Sequence, residues 1–141
     1  MSLMTAIEVA ASGLTAQRQR LEVHISNLAN ATVVQPAGSE PFRPKDVLFS
    51  SVNPEQSFGV ALDDAVQGVE VSGVVTLNKD PVPHYEPNHP YADDKGYVYY
   101  PNVNSMDEMG NITFAARSYE ANLQAINMVK EMEQKTLEIL R

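Results

Sequence analysis

The feature that most constrains the fold is a C-terminal segment with no helix breaker. No proline occurs from Ser105 to the end of the chain. Ser105 and Glu108 also have the spacing of a capping box, in which two side chains satisfy free backbone N–H groups at a helix start. The segment predicts a single helix of roughly 50 Å, at 1.5 Å per residue. A compact domain of 141 residues has no interior of that length.

This predicted helix carries apolar side chains on two sides. At 100° per residue, one apolar stripe runs along it and a second stripe lies nearly opposite. The first stripe contains Ile112, Ala116, Tyr119, Leu123, Ile126 and Leu137. The second stripe contains Phe114, Ala121, Met128, Met132 and Ile139. A helix that lies on one core needs only one apolar stripe, so we expect two different surfaces to cover this helix.

A second amphipathic helix is predicted over residues 5–31, ending before Pro36. Its main apolar stripe contains Ile7, Ala11, Leu14, Leu21, Ile25 and Leu28, and a fainter stripe opposite contains Val9, Ala16 and Val23. Antiparallel pairing of the two helices would cover one stripe of each and leave the second stripes bare. Exposed apolar area of that extent usually marks an interface. The alternative is that the middle of the chain folds back over the second stripes.

The middle of the chain is rich in proline and in short strand-like runs. The best strand candidate is GVEVSGVVTLN, and DVLFSSV and YVYY are weaker candidates. Between them, DPVPHYEPNHPYADDKG contains four prolines, which disfavour a regular strand ladder and predict an extended arm that ends in a turn at residues 94–96.

These patterns predict the α+β class. Residues 1–32 and 105–141 form long helices that pair antiparallel as a coiled-coil-like inner domain, and residues 33–104 form a small β-rich module with long loops between them.

Two asparagines near the end of the first helix need an explanation. Asn27 and Asn30 lie on the Val23 side of the helix, away from the leucines. An unpaired buried carboxamide costs about 1 to 3 kcal/mol, so a carboxamide buried against another chain would fix the register of the contact. We therefore expect both side chains to contact a neighbouring subunit. The alternative for Asn30 is a left-handed residue that only caps the helix.

Composition excludes several classes of function. The chain has 18 acidic and 10 basic residues, a formal charge of -8, which disfavours binding to nucleic acid. Cysteine is absent, so no disulfide or thiolate site can form. No run has the length of a membrane span. The N-terminus lacks the basic region of a secretory signal and Glu8 interrupts its apolar part, so we expect any export to need no cleaved signal.

Candidate chemistry is weak. His84 and His89 lie near Glu86, Asp93 and Asp94, which are all possible ligands of a divalent ion. Their spacing on a proline-broken arm does not direct both imidazoles to one point. The sequence also contains no nucleophile elbow and no glycine-rich phosphate loop. We therefore expect no catalytic residues, no metal, no cofactor and no small-molecule substrate.

The motif SNLANA at the end of the first helix resembles the signature of the flagellar rod, hook and axial protein family. The stretches EPFRPKDVLF, YEPNHPYADDKGYVYYPNVN and DEMGNITFAARSYEANLQAINMVKEMEQKTLEIL are similar to those of its proximal rod proteins, so the resemblance covers most of the chain. The loop TVVQPAGSEPFRPK departs from the shorter turn of many axial proteins and resembles the proximal rod type.

The resemblance implies a structural protein. Members of the family are exported unfolded by the flagellar type III apparatus without a cleaved signal. They polymerise helically into the rod of the basal body, which spans the periplasm, transmits torque and encloses the export channel. The implied partners are copies of the chain, rod proteins of the FlgB, FlgF, FlgG and FliE types, and the export apparatus. The alternative is a soluble coiled-coil adaptor or export chaperone that forms a discrete oligomer.

These expectations assign roles to particular residues. We assign to the helix pair Leu14, Leu21, Ile25, Leu28, Tyr119, Leu123 and Ile126. We assign to contacts between subunits Asn27, Asn30, Met128 and Met132.

Overall fold

The computed structural model describes residues 3–36, 38–52 and 67–139. The helix α1 (Leu3–Asn30) opens the chain and the helix α2 (Ser105–Ile139) closes it. Between them lie β1 (Lys45–Val52), β2 (Gly68–Thr76), β3 (Val82–Tyr85) and β4 (Tyr97–Tyr100). The strands form two separate antiparallel pairs, β1 with β2 and β3 with β4. The predicted α+β class, with a long helix at each end and a small β insert, is confirmed.

The two helices run antiparallel, as predicted. His24 of α1 contacts Glu108 near the start of α2, whereas Gly13 lies against Asn122, further along α2. Moving back along α1 therefore means moving forward along α2. In the same register Leu3 lies opposite about residue 132, so the last turns of α2 extend past the first described turn of α1. All residues from 130 to 139 are exposed.

The face of α2 that meets α1 follows a regular alternation of three and four residues, the spacing of a coiled-coil seam. Its members are Glu108, Ile112, Ala115, Tyr119, Asn122, Ile126 and Val129, and all are buried or half-buried. The next two positions at this spacing are Glu133 and Thr136, which are polar and exposed. The seam therefore becomes polar close to the level at which α1 begins.

Small side chains on α1 allow the helices to approach closely. A Cβ atom added to Gly13 would lie 2.7 Å from the Nδ2 atom of Asn122. Ala16, one turn further on, is 1% exposed. Glycine in a helix costs about 1 kcal/mol relative to alanine, and the side chain of Asn122 occupies the space that this glycine leaves.

The β1–β2 hairpin packs on α1 and not on α2. The Oγ atom of Ser12 accepts a hydrogen bond from the Val69 N–H at 3.1 Å. The guanidinium of Arg20 lies 6.0 Å from the centre of the Phe49 ring, within the range of a cation–π contact. No Cα atom of a described strand lies within 8 Å of one in α2. The middle of the chain thus covers the fainter stripe of α1, and our expectation that this stripe stays bare is wrong.

The proline-rich arm contains a strand that we did not predict. Pro83 lies inside β3 and is opposite Tyr99 of β4. Proline lacks a backbone donor, but it is tolerated in an edge strand, and both strands of this pair are edges. The predicted turn at residues 94–96 is confirmed, with Gly96 at a φ of 83°.

The start of α2 is capped by a residue other than the one predicted. The Oδ1 atom of Asn104 accepts a hydrogen bond from the Met106 N–H at 3.0 Å. The side chain of Glu108 turns to α1 instead of reaching back to the helix start, so the predicted capping box does not form. Neither described helix has the length and apolar content needed to cross a membrane.

We predict that Gly13→Leu destabilises the subunit. The larger side chain would clash with Asn122 and force the helices apart, and overpacking of this kind typically costs 1 to 3 kcal/mol. Urea unfolding followed by circular dichroism measures the change. Gly110→Leu is the matched control, because no heavy atom of another described side chain lies within 4 Å of a Cβ at Gly110. Equal stability of the two variants would refute the close contact.

Candidate assembly surface

Asn27 lies inside the subunit, at the junction of α1, α2 and β1. Its side chain is 1% exposed. The Nδ2 group donates to the backbone oxygen of Lys45 at 2.8 Å and to Oε2 of Glu108 at 3.3 Å, and Oδ1 accepts from the Lys45 N–H at 2.9 Å. The predicted contact of Asn27 with a neighbouring subunit is therefore wrong. Its own chain already satisfies both ends of the carboxamide.

His24 completes this buried polar cluster. Its Nδ1 atom lies 2.7 Å from Oε2 of Glu108, and its Nε2 atom accepts a hydrogen bond from Nε of Arg20 at 3.4 Å. An arginine nitrogen can only donate, so this arrangement corresponds to a neutral imidazole that carries its proton on Nδ1 and donates it to the carboxylate. The cluster fixes the register between the helices, because a shift of one residue would leave these buried groups unpaired.

Asn30 is placed differently from Asn27. Its Nδ2 group donates to the backbone oxygen of Ser26 at 2.8 Å, within its own helix. The left-handed cap is not adopted, because within the described ranges only glycines have a positive φ. The contact of Asn30 with a neighbouring subunit stays a prediction.

The residues assigned to the helix pair lie at different depths. Five of them are half-buried: Leu14, Leu21, Leu28, Tyr119 and Ile126. Ile25 and Leu123 are exposed. The centre of α1 that faces its neighbours consists of smaller and more polar residues, among them Ala16 and Asn27. The leucines therefore lie towards one side of that centre.

The largest uncovered apolar feature of the described helices is the second stripe of α2. This outer stripe consists of Phe114, Ala121, Met128, Met132 and Ile139, and its large side chains are all at least half exposed. No described strand approaches it. Burial of such area contributes about 25 cal/mol per Å², so a partner that covers the outer stripe gains a substantial free energy of association.

The residues considered as metal ligands have other roles. The ring of His84 meets the Tyr100 ring edge-on at 5.0 Å, and Nδ1 of His89 accepts from the Tyr91 N–H. Oδ1 of Asp93 accepts from the backbone N–H groups of Lys95 and Tyr97. In the part of the chain that the structure describes, no three such side chains are placed to hold a metal ion.

The turn at Asp93 is sensitive to protonation. The hydrogen bond from the Tyr97 N–H is the main cause that lowers the pKa of the Asp93 carboxyl, and the negative charge of Asp93 raises the pKa of the Tyr99 hydroxyl. A carboxyl group whose pKa is lowered in the folded state stabilises that state above its ordinary pKa of about 4.

We predict that acid loosens this turn. The contribution of Asp93 is complete above about pH 5 and is lost as the pH falls through the lowered pKa. Amide NMR signals of Lys95 and Tyr97 report the transition. Asp93→Asn is the control, because its side chain keeps an acceptor oxygen but has no charge to lose. A similar acid transition at these amides in the variant would show that another group is responsible.

We predict that Asn27→Leu weakens the isolated subunit. Leucine would leave the buried N–H and C=O groups of Lys45 without partners, at about 1 to 3 kcal/mol for each group. Urea unfolding of the monomer measures this loss. Asn30→Leu is the control and should change stability far less, because Asn30 bonds only within its own helix. A fully stable Asn27→Leu monomer would contradict the role of the carboxamide inside the chain.

Two family models match the ends of the chain. The model described as "Flagella basal body rod protein" matches residues 7–34, and the model described as "Flagellar basal body rod FlgEFG protein C-terminal" matches residues 94–139. The first range contains most of α1 and the whole SNLANA motif. The second contains β4 and α2, and therefore the outer stripe.

Relatives match over nearly the whole chain. The chain is 44% identical to the flagellar basal-body rod protein FlgC of Escherichia coli O6:H1 and 41% identical to that of Salmonella typhimurium, with 97% of each chain covered in both cases. It is 38% identical to FlgC of Borreliella burgdorferi, over 100% of this chain and 99% of the relative. The resemblance read from the sequence is confirmed, and the chain belongs to the FlgC family of structural subunits of the flagellar basal-body rod.

Proposed function

We propose that this chain polymerises helically into the proximal rod, where it forms part of the drive shaft that transmits torque and encloses the export channel. It acts by assembly and carries no catalytic role. The observation that supports this proposal is the uncovered outer stripe of α2. The β1–β2 hairpin covers the corresponding face of α1, so the subunit leaves a long apolar surface on one helix only.

The proposed partners follow from this role. Copies of the chain and rod proteins of the FlgB, FlgF, FlgG and FliE types surround it, and the flagellar export apparatus delivers it unfolded, without a cleaved signal. Contacts between different surfaces of identical subunits, repeated without closure, generate a helical filament. Met128 and Met132 lie in such contacts, since both are exposed on the outer stripe. Asn30 is proposed to contact a neighbour beside them.

A soluble adaptor or export chaperone is the competing function. It would also cover the outer stripe, but with a fixed number of partners. The two proposals differ in the assembled product, because a discrete oligomer keeps one mass at all concentrations whereas a rod subunit adds to a growing structure. Light scattering of the purified chain over a range of concentrations distinguishes them.

We predict that Met128→Asp with Met132→Asp abolishes swimming. Both changes place charge on the outer stripe, where an interface would have to bury it, and the cost of burying unpaired charge is several kcal/mol. The variant replaces the normal chain in the source bacterium, and motility in soft agar is measured. The double variant should fold normally, because both side chains are exposed.

The matched control is Asn127→Asp with Gln134→Asp. Both positions are exposed on α2 and lie away from the outer stripe. This control should swim as the unaltered chain does. Normal swimming by the methionine variant would count against the outer stripe as an interface.

A further inference from the structure

We infer that the surface around Gly110, near the start of α2, receives the C-terminal end of α2 from a second copy of the chain. This inference rests on the proposed function and names two surfaces that meet when the rod grows. We call the first surface the notch, which consists of Gly110 with Met106 and Phe114 one turn before and one turn after it.

The notch is a gap that the subunit itself does not use. Glycine weakens a helix relative to alanine, and at Gly13 the gap is filled by Asn122. At Gly110 no heavy atom of another described side chain lies within 4 Å of the position of a Cβ. The side chains at its two ends are strongly exposed, Met106 at 76% and Phe114 at 67%. A gap between two exposed apolar side chains allows another helix to approach closely.

The opposite end of α2 has complementary features. In the register set by His24 and Gly13, α2 extends past the first described turn of α1. The seam there becomes polar, at Glu133 and Thr136, so these turns do not continue the contact with α1. Ile139 is nevertheless 85% exposed on the outer stripe. We call residues 132–139 the tip.

Charge also matches the notch to the tip. At 100° per residue, Asp107, Gly110 and Phe114 fall on the same side of α2 as Lys135 and Ile139, within an arc of about 80°. Neither Asp107 nor Lys135 takes part in an ion pair among the described residues. The notch end therefore offers a free carboxylate and the tip a free ammonium group.

One displacement satisfies these features together. A second copy shifted by about 25 residues along α2, or about 38 Å, brings its Ile139 beside Phe114 and the stem of its Lys135 over Gly110. The ammonium group of that lysine then lies near Asp107. Two different ends of one helix meet, so the contact cannot close on itself and repeats along an axis.

Disulfide cross-linking tests this contact without background, because the chain has no cysteine. Phe114→Cys with Ile139→Cys replaces the normal chain in the source bacterium, and isolated basal bodies are oxidised and run on a non-reducing gel. We expect cross-linked dimers of the double variant and none of either single variant. The matched control is Phe114→Cys with Gln134→Cys, which places the second cysteine on another side of the tip and should give no dimer.

The outcomes separate this inference from the proposed function. A double variant that enters basal bodies and gives no dimer overturns the inference and leaves the rod function intact. Absence of the unaltered chain from basal bodies overturns the rod function itself.

A second variant keeps the inference testable if the cysteines block assembly. Gly110→Leu fills the notch, and its midpoint of thermal unfolding should not fall, because leucine favours a helix more than glycine does. We expect loss of swimming, whereas Thr113→Leu, which is exposed on another side of α2, should still swim. Normal swimming of Gly110→Leu overturns the inference.

Discussion

The carboxylate of Glu108 is the group on which the arrangement of the subunit depends. It bonds His24 and Asn27 on α1, and Asn27 in turn bonds both backbone groups of Lys45 at the start of β1. Two helices and one strand are therefore held at a single buried point. Because buried polar groups lose about 1 to 3 kcal/mol when left unpaired, the helices have one favoured register, and this register determines how far α2 extends past α1.

The small residues of α1 make a division of roles possible. Gly13 and Ala16 let α2 and the hairpin approach α1 from two directions, so this helix has neighbours on both sides within its own chain. The helix α2 packs on one side only and presents methionines and Phe114 outwards. Methionine is flexible and adapts to irregular surfaces, which suits a helix that must meet several neighbours in a helical lattice.

The sequence predicted the parts of the fold that depend on local periodicity. Two long helices, the strand β2 and the turn before Gly96 follow from spacing and from proline and glycine positions. Periodicity could not identify the partner of Asn27, which is 81 residues away at Glu108. It also could not show that Glu108 serves this cluster and leaves the helix cap to Asn104. The pattern of α1 was misread for a related reason, because Ala16 is too small to look like core although it is nearly inaccessible.

The buried apolar residues of the described chain are all alanines or valines. Such side chains remove little apolar area from water, so the isolated subunit gains only a small free energy from folding. Most of its large apolar side chains lie at the surface and gain their burial from neighbours. Binding that favours only the folded form adds to apparent stability by mass action. The subunit is thus easily unfolded as a single molecule and becomes resistant to unfolding only as its local concentration rises, so that the tightness of its fold is a property of the assembled structure.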